Sequence, residues 1–278
     1  MPIMGFLPPY RKGALATPDG AEIPFVAIGN GPLPIVLLPG GSDGVATVAD
    51  SARSLAWLYR RRARTQRLLA ISRRHPLPAG YSLEQYAADF FWAIERLGWG
   101  PAVLECNSAG GPIGQYMAAE QPERVSGLIL LNTAHRADDQ MRAVFQRWAE
   151  LARQGQWAEL AWSALEHFIH PQPAAGYRPL RPLLRLTKGP RYPGRLVHIF
   201  EGMLMVDNRP LLPRIACPTL IAGGEEDRIF SARLQREMAA LIPNSRLVLY
   251  PGCGHNYNLL HADRYNAQVA DFVHGLLI

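Results

Sequence analysis

The clearest candidate for chemistry in this sequence is Ser108, within the segment Cys106-Asn107-Ser108-Ala109-Gly110. An apolar run at 101–106 predicts a buried strand before the serine, and apolar residues at helical spacing over 114–121 predict a helix after it. A serine on such a turn takes a strained backbone conformation, which is tolerable only where the residues two before and two after it are small. The strain pushes the hydroxyl out of the sheet, and the helix N-terminus behind it can stabilise negative charge. The pattern favours a nucleophilic serine over a serine in an ordinary turn.

This turn resembles the nucleophile elbow of the α/β-hydrolase superfamily. One position departs from the pattern, because Cys106 stands where the family most often has glycine. Cysteine is small enough for that position, so we expect the substitution to be tolerated. The resemblance covers nearly the whole chain apart from residues 135–210. It implies a three-layer α/β-hydrolase fold, with a mostly parallel central sheet and an inserted helical cap.

A serine hydroxyl needs a base within hydrogen-bond reach, and the base needs an acid that orients it. In the resembling family the acid and then the histidine follow the serine, each at the C-terminal end of a strand. The resemblance therefore implies a catalytic triad of Ser108, Asp227 and His255. Asp227 follows a predicted strand at 218–222, and His255 follows the next one at 246–250.

Other acids are alternatives for the orienting role. Glu225 and Glu226 are neighbours of Asp227, and Asp138 and Asp139 follow the sixth strand at a greater distance. The resemblance favours Asp227, because the family places the acid at the third residue after a glycine.

The oxyanion formed by serine attack needs two backbone N–H donors. By position in the resembling family, one donor is Ala109, directly after the serine. The other comes from the loop after the strand predicted at 33–38, which reads Pro39-Gly40-Gly41 where the family usually has His-Gly-x. Gly41 is then the expected donor, with Ser42 beside it. A phosphate-binding role for this loop would need a Lys-Ser/Thr pair or a GxGxxG pattern, and the sequence has neither.

Strands and helices alternate along most of the chain. The hydrophobic pattern predicts a hairpin over 14–28, strands at 33–38, 66–71, 101–106, 125–131, 218–222 and 246–250, and helices at 46–59, 82–97, 114–121, 231–241 and 262–277. Such alternation predicts a mostly parallel sheet with helices on both faces.

The alternation stops between 133 and 218. This interval contains helical patterns at 137–154, 157–170 and 195–207 and a segment rich in proline and arginine at 171–192. In the resembling family a helical cap is inserted at this place. We therefore predict a core formed by 1–134 and 211–278 and a cap formed by 135–210, with a few of its aromatic and methionine side chains lining a substrate pocket.

The composition is that of one large globular α/β domain with an inserted subdomain. The chain has 278 residues, of which 48% are hydrophobic and 19% charged. The net charge of +6 comes almost entirely from arginine, because Lys12 and Lys188 are the only lysines. The N-terminal residues lack the layout of a secretory signal, and no stretch approaches the length of a transmembrane helix. We expect a cytoplasmic protein that does not bind membranes.

Two further residue clusters could serve other functions, but neither has the motif that its function would require. An arginine cluster without an accompanying nucleic-acid-binding motif predicts a solvated helix end rather than a nucleic-acid site; it comprises Arg60, Arg61, Arg62, Arg64 and Arg67. His167 and His170 lie three apart beside Glu166 on a predicted helix, but the zincin motif is absent. The three cysteines have neither metal-ligand spacing nor a disulfide framework. We expect no metal, cofactor or nucleic-acid partner.

The resemblance implies a serine hydrolase, and a carboxylesterase for small or medium carboxylic esters is the favoured activity. Asn107 before the serine resembles the carbon–carbon bond hydrolases that cleave meta-cleavage products, but Asn256 follows the histidine where many of those have an aromatic residue. Lactonase, acyltransferase and perhydrolase activities use the same triad. A ligand-binding receptor on this scaffold is an alternative of another class. Serine at the nucleophile position argues against epoxide hydrolases and haloalkane dehalogenases, which have aspartate there.

Overall fold

The structure is a computed structural model that describes residues 7–32, 34–168, 174–186 and 189–276. Within these residues eight strands form one sheet. They are β1 (Tyr10–Ala16), β2 (Glu22–Ile28), β3 (Pro34–Leu38), β4 (Arg67–Ile71), β5 (Ala102–Asn107), β6 (Val125–Leu131), β7 (Thr219–Gly224) and β8 (Ser245–Tyr250). Their order across the sheet is β1-β2-β4-β3-β5-β6-β7-β8. β2 pairs antiparallel with both β1 and β4, and all other neighbours are parallel.

Helices cover both faces of this sheet. They are α1 (Ala52–Leu58), α2 (Leu83–Arg96), α3 (Gly111–Glu120), α4 (Asp139–Arg153), α5 (Trp157–Phe168), α6 (Pro193–Leu204), α7 (Ala232–Leu241), α8 (Tyr257–Leu260) and α9 (Ala262–Gly275). In β3, Val36 and Leu38 pack in the cluster that contains α2, α3 and α7, whereas Ile35 and Leu37 face α1 and α9. A strand buried on both faces must be apolar throughout, which is why β3 is a continuous apolar run. The predicted three-layer α/β architecture is confirmed.

Most predicted elements are confirmed, with ends shifted by at most four residues where they fall among the described residues. The helix predicted over 46–59 is wrong at its start, because α1 begins only at Ala52. The residues before it form turns, in which the Thr47 N–H and hydroxyl both donate to the Asp50 carboxylate, at 3.0 and 2.8 Å. Such side-chain bonds compete with helix formation.

Among the described residues, α8 and the 3₁₀ helices were not predicted; the longest of these 3₁₀ helices is Ala174–Leu186. Three predicted element ends lie outside the described residues; they are Leu33, Ile169–His170 and Leu277.

The arginine cluster is not entirely a solvated helix end, and for Arg62 that prediction is wrong. Arg62 and Glu105 are each only 3% exposed at the side chain, and they form a two-pronged ion pair with N–O distances of 2.6 and 2.9 Å. The Tyr265 hydroxyl donates to the same carboxylate at 2.8 Å, and Arg62 Nε donates to Gln66. The planar guanidinium matches both carboxylate oxygens, so burial of the charge is compensated.

Helices α4 to α6 lie between β6 and β7 in the chain and pack on one another through aromatic rings. Phe145 and Trp148 of α4 lie 5.7 and 5.5 Å from the Phe200 ring of α6. α6 also covers the loop after β3, where Leu196 lies so close to Gly44 that a Cβ there would be 2.7 Å from it. The division into a core of 1–134 and 211–278 and a cap of 135–210 remains a prediction. No helix within the described ranges is both long and apolar enough to span a bilayer.

His135, which follows β6, is completely buried, and neither of its ring nitrogens has a hydrogen-bond partner. Burial lowers the pKa of His135 to about 4, although the Glu237 carboxylate 3.6 Å away opposes the shift. Arg136 lowers the pKa further, and Asp207 raises it. Because the folded pKa lies below the ordinary value of about 6.5, the unfolded chain gains a proton first as the pH falls. The stabilisation of the folded protein that results from a neutral His135 is complete above about pH 6.5, and it is lost as the pH falls towards 4.

We therefore expect the contribution of His135 to the free energy of unfolding to decrease by about 2 kcal/mol between pH 7 and pH 5. The free energy of unfolding, measured with urea at both pH values, should fall less in His135→Met, which keeps the volume but cannot titrate. His274→Met is the matched control, because His274 is exposed on α9. Equal pH dependence in all three proteins would contradict the assignment.

Candidate active site

Ser108 stands directly after β5, at the start of the turn that leads into α3. Its φ is +52°, in the left-handed region that residues other than glycine rarely adopt. The predicted backbone strain is therefore present. A Cβ at Gly110, two residues later, would lie 2.5 Å from the Leu38 carbonyl oxygen, so this position cannot hold a larger residue.

The departure at Cys106 has a local structural explanation. The Cys106 side chain faces α3, where a Cβ at Gly114 would lie 2.2 Å from its Sγ atom. The glycine on the helix thus supplies the space that the cysteine side chain occupies. Burial raises the pKa of the Cys106 thiol well above its ordinary value, so the thiol stays protonated and does not compete with Ser108 as a nucleophile.

The structure brings Asp227 and His255 together at the ends of the neighbouring strands β7 and β8. Asp227 Oδ2 lies 2.8 Å from His255 Nδ1, and the two side chains are 0% and 6% exposed. The other oxygen, Oδ1, accepts hydrogen bonds from the N–H groups of Ile229 and Phe230 at 2.7 and 3.0 Å. An ionised carboxylate only accepts, so Nδ1 must carry a proton in this bond. In the neutral ring Nε2 then has the free lone pair and can act as a base.

Two aromatic rings lie against the His255 imidazole. Phe168 of α5 stacks on it with a centroid distance of 5.2 Å and an angle of 17° between the planes, and Phe230 lies 5.6 Å away at 34°. One ring comes from α5 and the other from the loop after β7, and both restrict the movement of the imidazole. The sequence did not single out Phe230, and it indicated Phe168 only as an apolar residue of the predicted cap.

Ser108 and His255 line the same cavity, which has a volume of about 580 Å³. Asn107, Asn256 and the backbone of Gly41 also line it. Most of the wall is apolar and comes from α4 to α6; its larger side chains are Phe145, Trp148, Trp157, Leu160, Phe168, Leu196 and Phe200. Within the described part of the chain no hydrogen bond joins the Ser108 hydroxyl to His255. Such bonds often tighten only when substrate binds.

The loop after β3 lies against the serine, as the oxyanion prediction requires. A Cβ at Gly40 would lie 2.8 Å from Ser108 Cβ and 3.3 Å from its Oγ atom. Gly41 and Ser42 continue the loop along the cavity wall. Ala109 is buried directly behind the serine. Gly40 is therefore a position of close backbone contact with Ser108 that the sequence did not identify, although the glycine pair was a signal of close backbone approach.

Two of the alternative acids, Glu225 and Asp138, are engaged elsewhere. Glu225 pairs with Arg236 at 2.8 Å on the surface, and Asp138 caps α4 by accepting from the Met141 N–H. The carboxylate that is hydrogen-bonded to His255 is that of Asp227.

The histidine pair considered for metal binding is only partly described. His167 Nδ1 lies 2.7 Å from the Ser163 carbonyl of its own helix, and His170 lies outside the described residues. Among the residues that the structure describes, no group of three or more His, Cys, Asp or Glu side chains could hold a metal ion.

The family model of the alpha/beta hydrolase fold matches residues 34–262. A Klebsiella pneumoniae protein named "Putative carbamate hydrolase RutD" is 29% identical over 258 aligned residues, which cover 88% of this chain and 92% of that protein. The structure of MGS-M2, an alpha/beta hydrolase enzyme from a Medee basin deep-sea metagenome, superposes with a TM-score of 0.82 at 19% identity and covers 94% of this chain and 97% of its own. The enol-lactonase from Burkholderia xenovorans LB400 superposes with a TM-score of 0.76 at 22% identity, over 94% of this chain and 99% of its own.

The contact between Gly40 and Ser108 predicts different effects of alanine at two adjacent glycines. In Gly40→Ala the new Cβ collides with Ser108 Cβ, whereas in Gly41→Ala it meets only the Phe200 ring at 3.4 Å. Because misplacement of a reacting group by about 1 Å costs about 100-fold, we expect Gly40→Ala to react with a fluorophosphonate at Ser108 about 100 times more slowly. Gly41→Ala should stay within about tenfold of the wild type, since its contact is ordinary van der Waals packing. Equal labelling rates in the two variants would contradict the proposed contact.

Proposed function

The chain belongs to the α/β-hydrolase fold family, and we propose that it is a serine hydrolase that cleaves small or medium carboxylic esters. One observation carries the proposal: the buried Asp227–His255 hydrogen bond and the strained Ser108 open on the same apolar cavity. No cofactor is needed for this chemistry.

In the proposed mechanism His255 Nε2 takes the proton of the Ser108 hydroxyl as the oxygen attacks the ester carbonyl. The N–H groups of Ala109 and Gly41 stabilise the tetrahedral oxyanion. The alcohol leaves with the proton from His255, and an acyl group remains on Ser108. Water, deprotonated by the same imidazole, then attacks the acyl carbon. The bond between this carbon and Ser108 Oγ breaks, the carboxylic acid leaves, and His255 returns the proton to Ser108.

The surroundings of His255 suit a ring that becomes positively charged in each half-reaction. Asp227, which is fully buried, faces Nδ1 and stabilises the imidazolium while it fixes the tautomer. The faces of Phe168 and Phe230 add the attraction of aromatic rings for a cation.

The cavity wall supports a neutral substrate with an apolar acyl or alcohol group. Its described lining contains no Lys, Arg, Asp or Glu side chain, and its polar groups concentrate near Ser108, His255 and the β3 loop. A volume of about 580 Å³ fits a small or medium ester. The name of the Klebsiella relative suggests carbamate hydrolysis as a second candidate, but a carbamate anion would lack a cationic partner on this wall.

Three alternative reactions use the same catalytic groups and differ either in the substrate or in the acceptor of the acyl group. A lactone or a carbon–carbon bond beside a ketone could be cleaved by the same attack, and acyl transfer needs only another acceptor in place of water. A receptor on this scaffold would keep the triad for slow or single turnover.

We propose a small-molecule substrate as the partner and the cytoplasm as the compartment.

Initial rates on p-nitrophenyl esters of increasing acyl length test the proposal. We expect steady turnover by the wild-type protein, with an optimum in acyl length set by the cavity. Ser108→Ala should lower kcat by about 10⁴-fold or more, because the nucleophile is lost. Ser51→Ala is the matched control, since Ser51 also lines the cavity but makes no capping hydrogen bond; its rate should be nearly unchanged.

Absence of ester turnover in the wild type, or equal rates in Ser108→Ala, would contradict the esterase proposal. Turnover of vinylogous diketones instead would favour carbon–carbon bond hydrolysis. A burst of product without steady turnover would favour a receptor.

A further inference from the structure

We propose that Arg73 and Thr133 are positioning residues that orient the two N–H groups of the oxyanion hole. This inference rests on the proposed function, and it concerns two residues that touch neither Ser108 Oγ nor the cavity. Each of them holds the carbonyl of a peptide unit whose N–H is a proposed donor.

The sheet topology places the two residues symmetrically. β3 and β5 are neighbours, and they lead into Gly41 and Ser108, respectively. β4 flanks β3 and β6 flanks β5 on the outer sides. Arg73 stands two residues after β4, and Thr133 stands two residues after β6. Side chains from these positions therefore reach the loops between them.

Thr133 fixes the peptide unit between Ser108 and Ala109. Its hydroxyl donates to the Ser108 carbonyl oxygen at 2.7 Å, and the residue is 1% exposed. In a trans peptide the carbonyl and the N–H point in opposite directions, so the bond directs the Ala109 N–H away from Thr133. The side chain itself has little freedom, because a Cβ at Gly111 would lie 2.1 Å from its Oγ1 atom.

Arg73 does the same for the peptide unit between Gly40 and Gly41. Its Nη1 atom donates to the carbonyl oxygens of Pro39 and Gly40 at 3.0 and 3.2 Å, and the guanidinium is buried. The Gly40 carbonyl belongs to the same peptide unit as the Gly41 N–H. A charged donor on the carbonyl both directs that N–H towards the opposite side and polarises it into a stronger donor.

The same guanidinium joins the two halves of the site. Arg73 Nη2 donates to the Ala109 carbonyl at 2.9 Å while Nη1 holds the β3 loop. The spacing between the loop and the elbow is thus set by the rigid fork of one side chain. Asp43 of the β3 loop compensates the charge, because its Oδ2 atom lies 3.4 Å from Arg73 Nη1. The same oxygen accepts from the backbone N–H of Arg73 at 2.9 Å and from Arg195 of α6 at 2.7 Å.

A role in packing alone and a role in orientation predict different measurements. Loss of packing lowers the free energy of unfolding but affects ground-state and transition-state ligands equally. Loss of N–H orientation weakens only the states that carry an oxyanion. The comparison therefore needs a pair of ligands that differ in this respect.

The test compares Thr133→Val, which removes the hydroxyl but keeps the shape, with Thr133→Ser, which keeps the hydroxyl. Each variant is assayed for kcat and KM on the best p-nitrophenyl ester. Each is also assayed for inhibition by an alkyl trifluoromethyl ketone, which forms an oxyanionic adduct with the serine, and by the corresponding methyl ketone, which binds as a ground-state mimic. Urea unfolding is measured alongside.

We expect Thr133→Val to lower kcat by about tenfold and to lower the affinity for the trifluoromethyl ketone by about tenfold. This is a fraction of the loss of about 10²- to 10³-fold in kcat that follows when a whole donor is removed. KM and the methyl-ketone affinity should stay within about twofold, and Thr133→Ser should restore all values. Arg73→Lys keeps a charge beside Asp43 but cannot bond both loops, so it should show the same selective loss.

The inference is overturned if the wild type hydrolyses esters and Thr133→Val matches it in kcat and in the ratio of the two ketone affinities. It is also overturned if the affinities of Thr133→Val for the two ketones fall by the same factor. A wild-type protein that neither hydrolyses esters nor binds the trifluoromethyl ketone more tightly than the methyl ketone would refute the proposed function itself, and the inference with it.

Discussion

The buried hydrogen bond between Asp227 and His255 is the interaction on which the rest of the site depends. An ionised carboxylate is costly to bury unless its oxygens are satisfied, and here two backbone N–H groups and the imidazole satisfy them. This arrangement requires β7 and β8 to be neighbours in parallel, so that their C-terminal loops meet. It also leaves Nε2 as the only ring nitrogen free to act as a base. The proposed chemistry at Ser108 follows from this one constraint.

The other half of the site depends on close contacts between backbones. The loop after β3 approaches the elbow so closely that Gly40 and Gly110 cannot carry a side chain without a collision. Arg73 and Thr133 reach these two segments from the flanking strands and bind their carbonyl groups. The walls contributed by α4 to α6 are mostly apolar, and an apolar surrounding strengthens each polar contact beside Ser108 and His255.

The sequence predicted the sheet well, because strands buried on both faces are apolar throughout and end at turns rich in glycine. It also predicted the elbow, whose small residues are required locally by the left-handed serine. It could not predict Arg62, Gly40 or Thr133, because their roles depend on partners far away in the chain. Arg62, for example, is buried only because Glu105, 43 residues later, lies opposite its guanidinium. The predicted start of α1 was also wrong, because the spacing of hydrophobic residues does not indicate the competing hydrogen bonds between Thr47 and Asp50.

The central claim is that Ser108 becomes covalently acylated during turnover. Rapid quenching of the protein with an excess of a p-nitrophenyl ester, followed by intact-mass and peptide mass spectrometry, measures this directly. We predict a mass increase of one acyl group, located on the peptide that contains Ser108 and absent in Ser108→Ala. Ester turnover without any adduct at Ser108, or an adduct on another residue that disappears in step with product formation, would contradict the account.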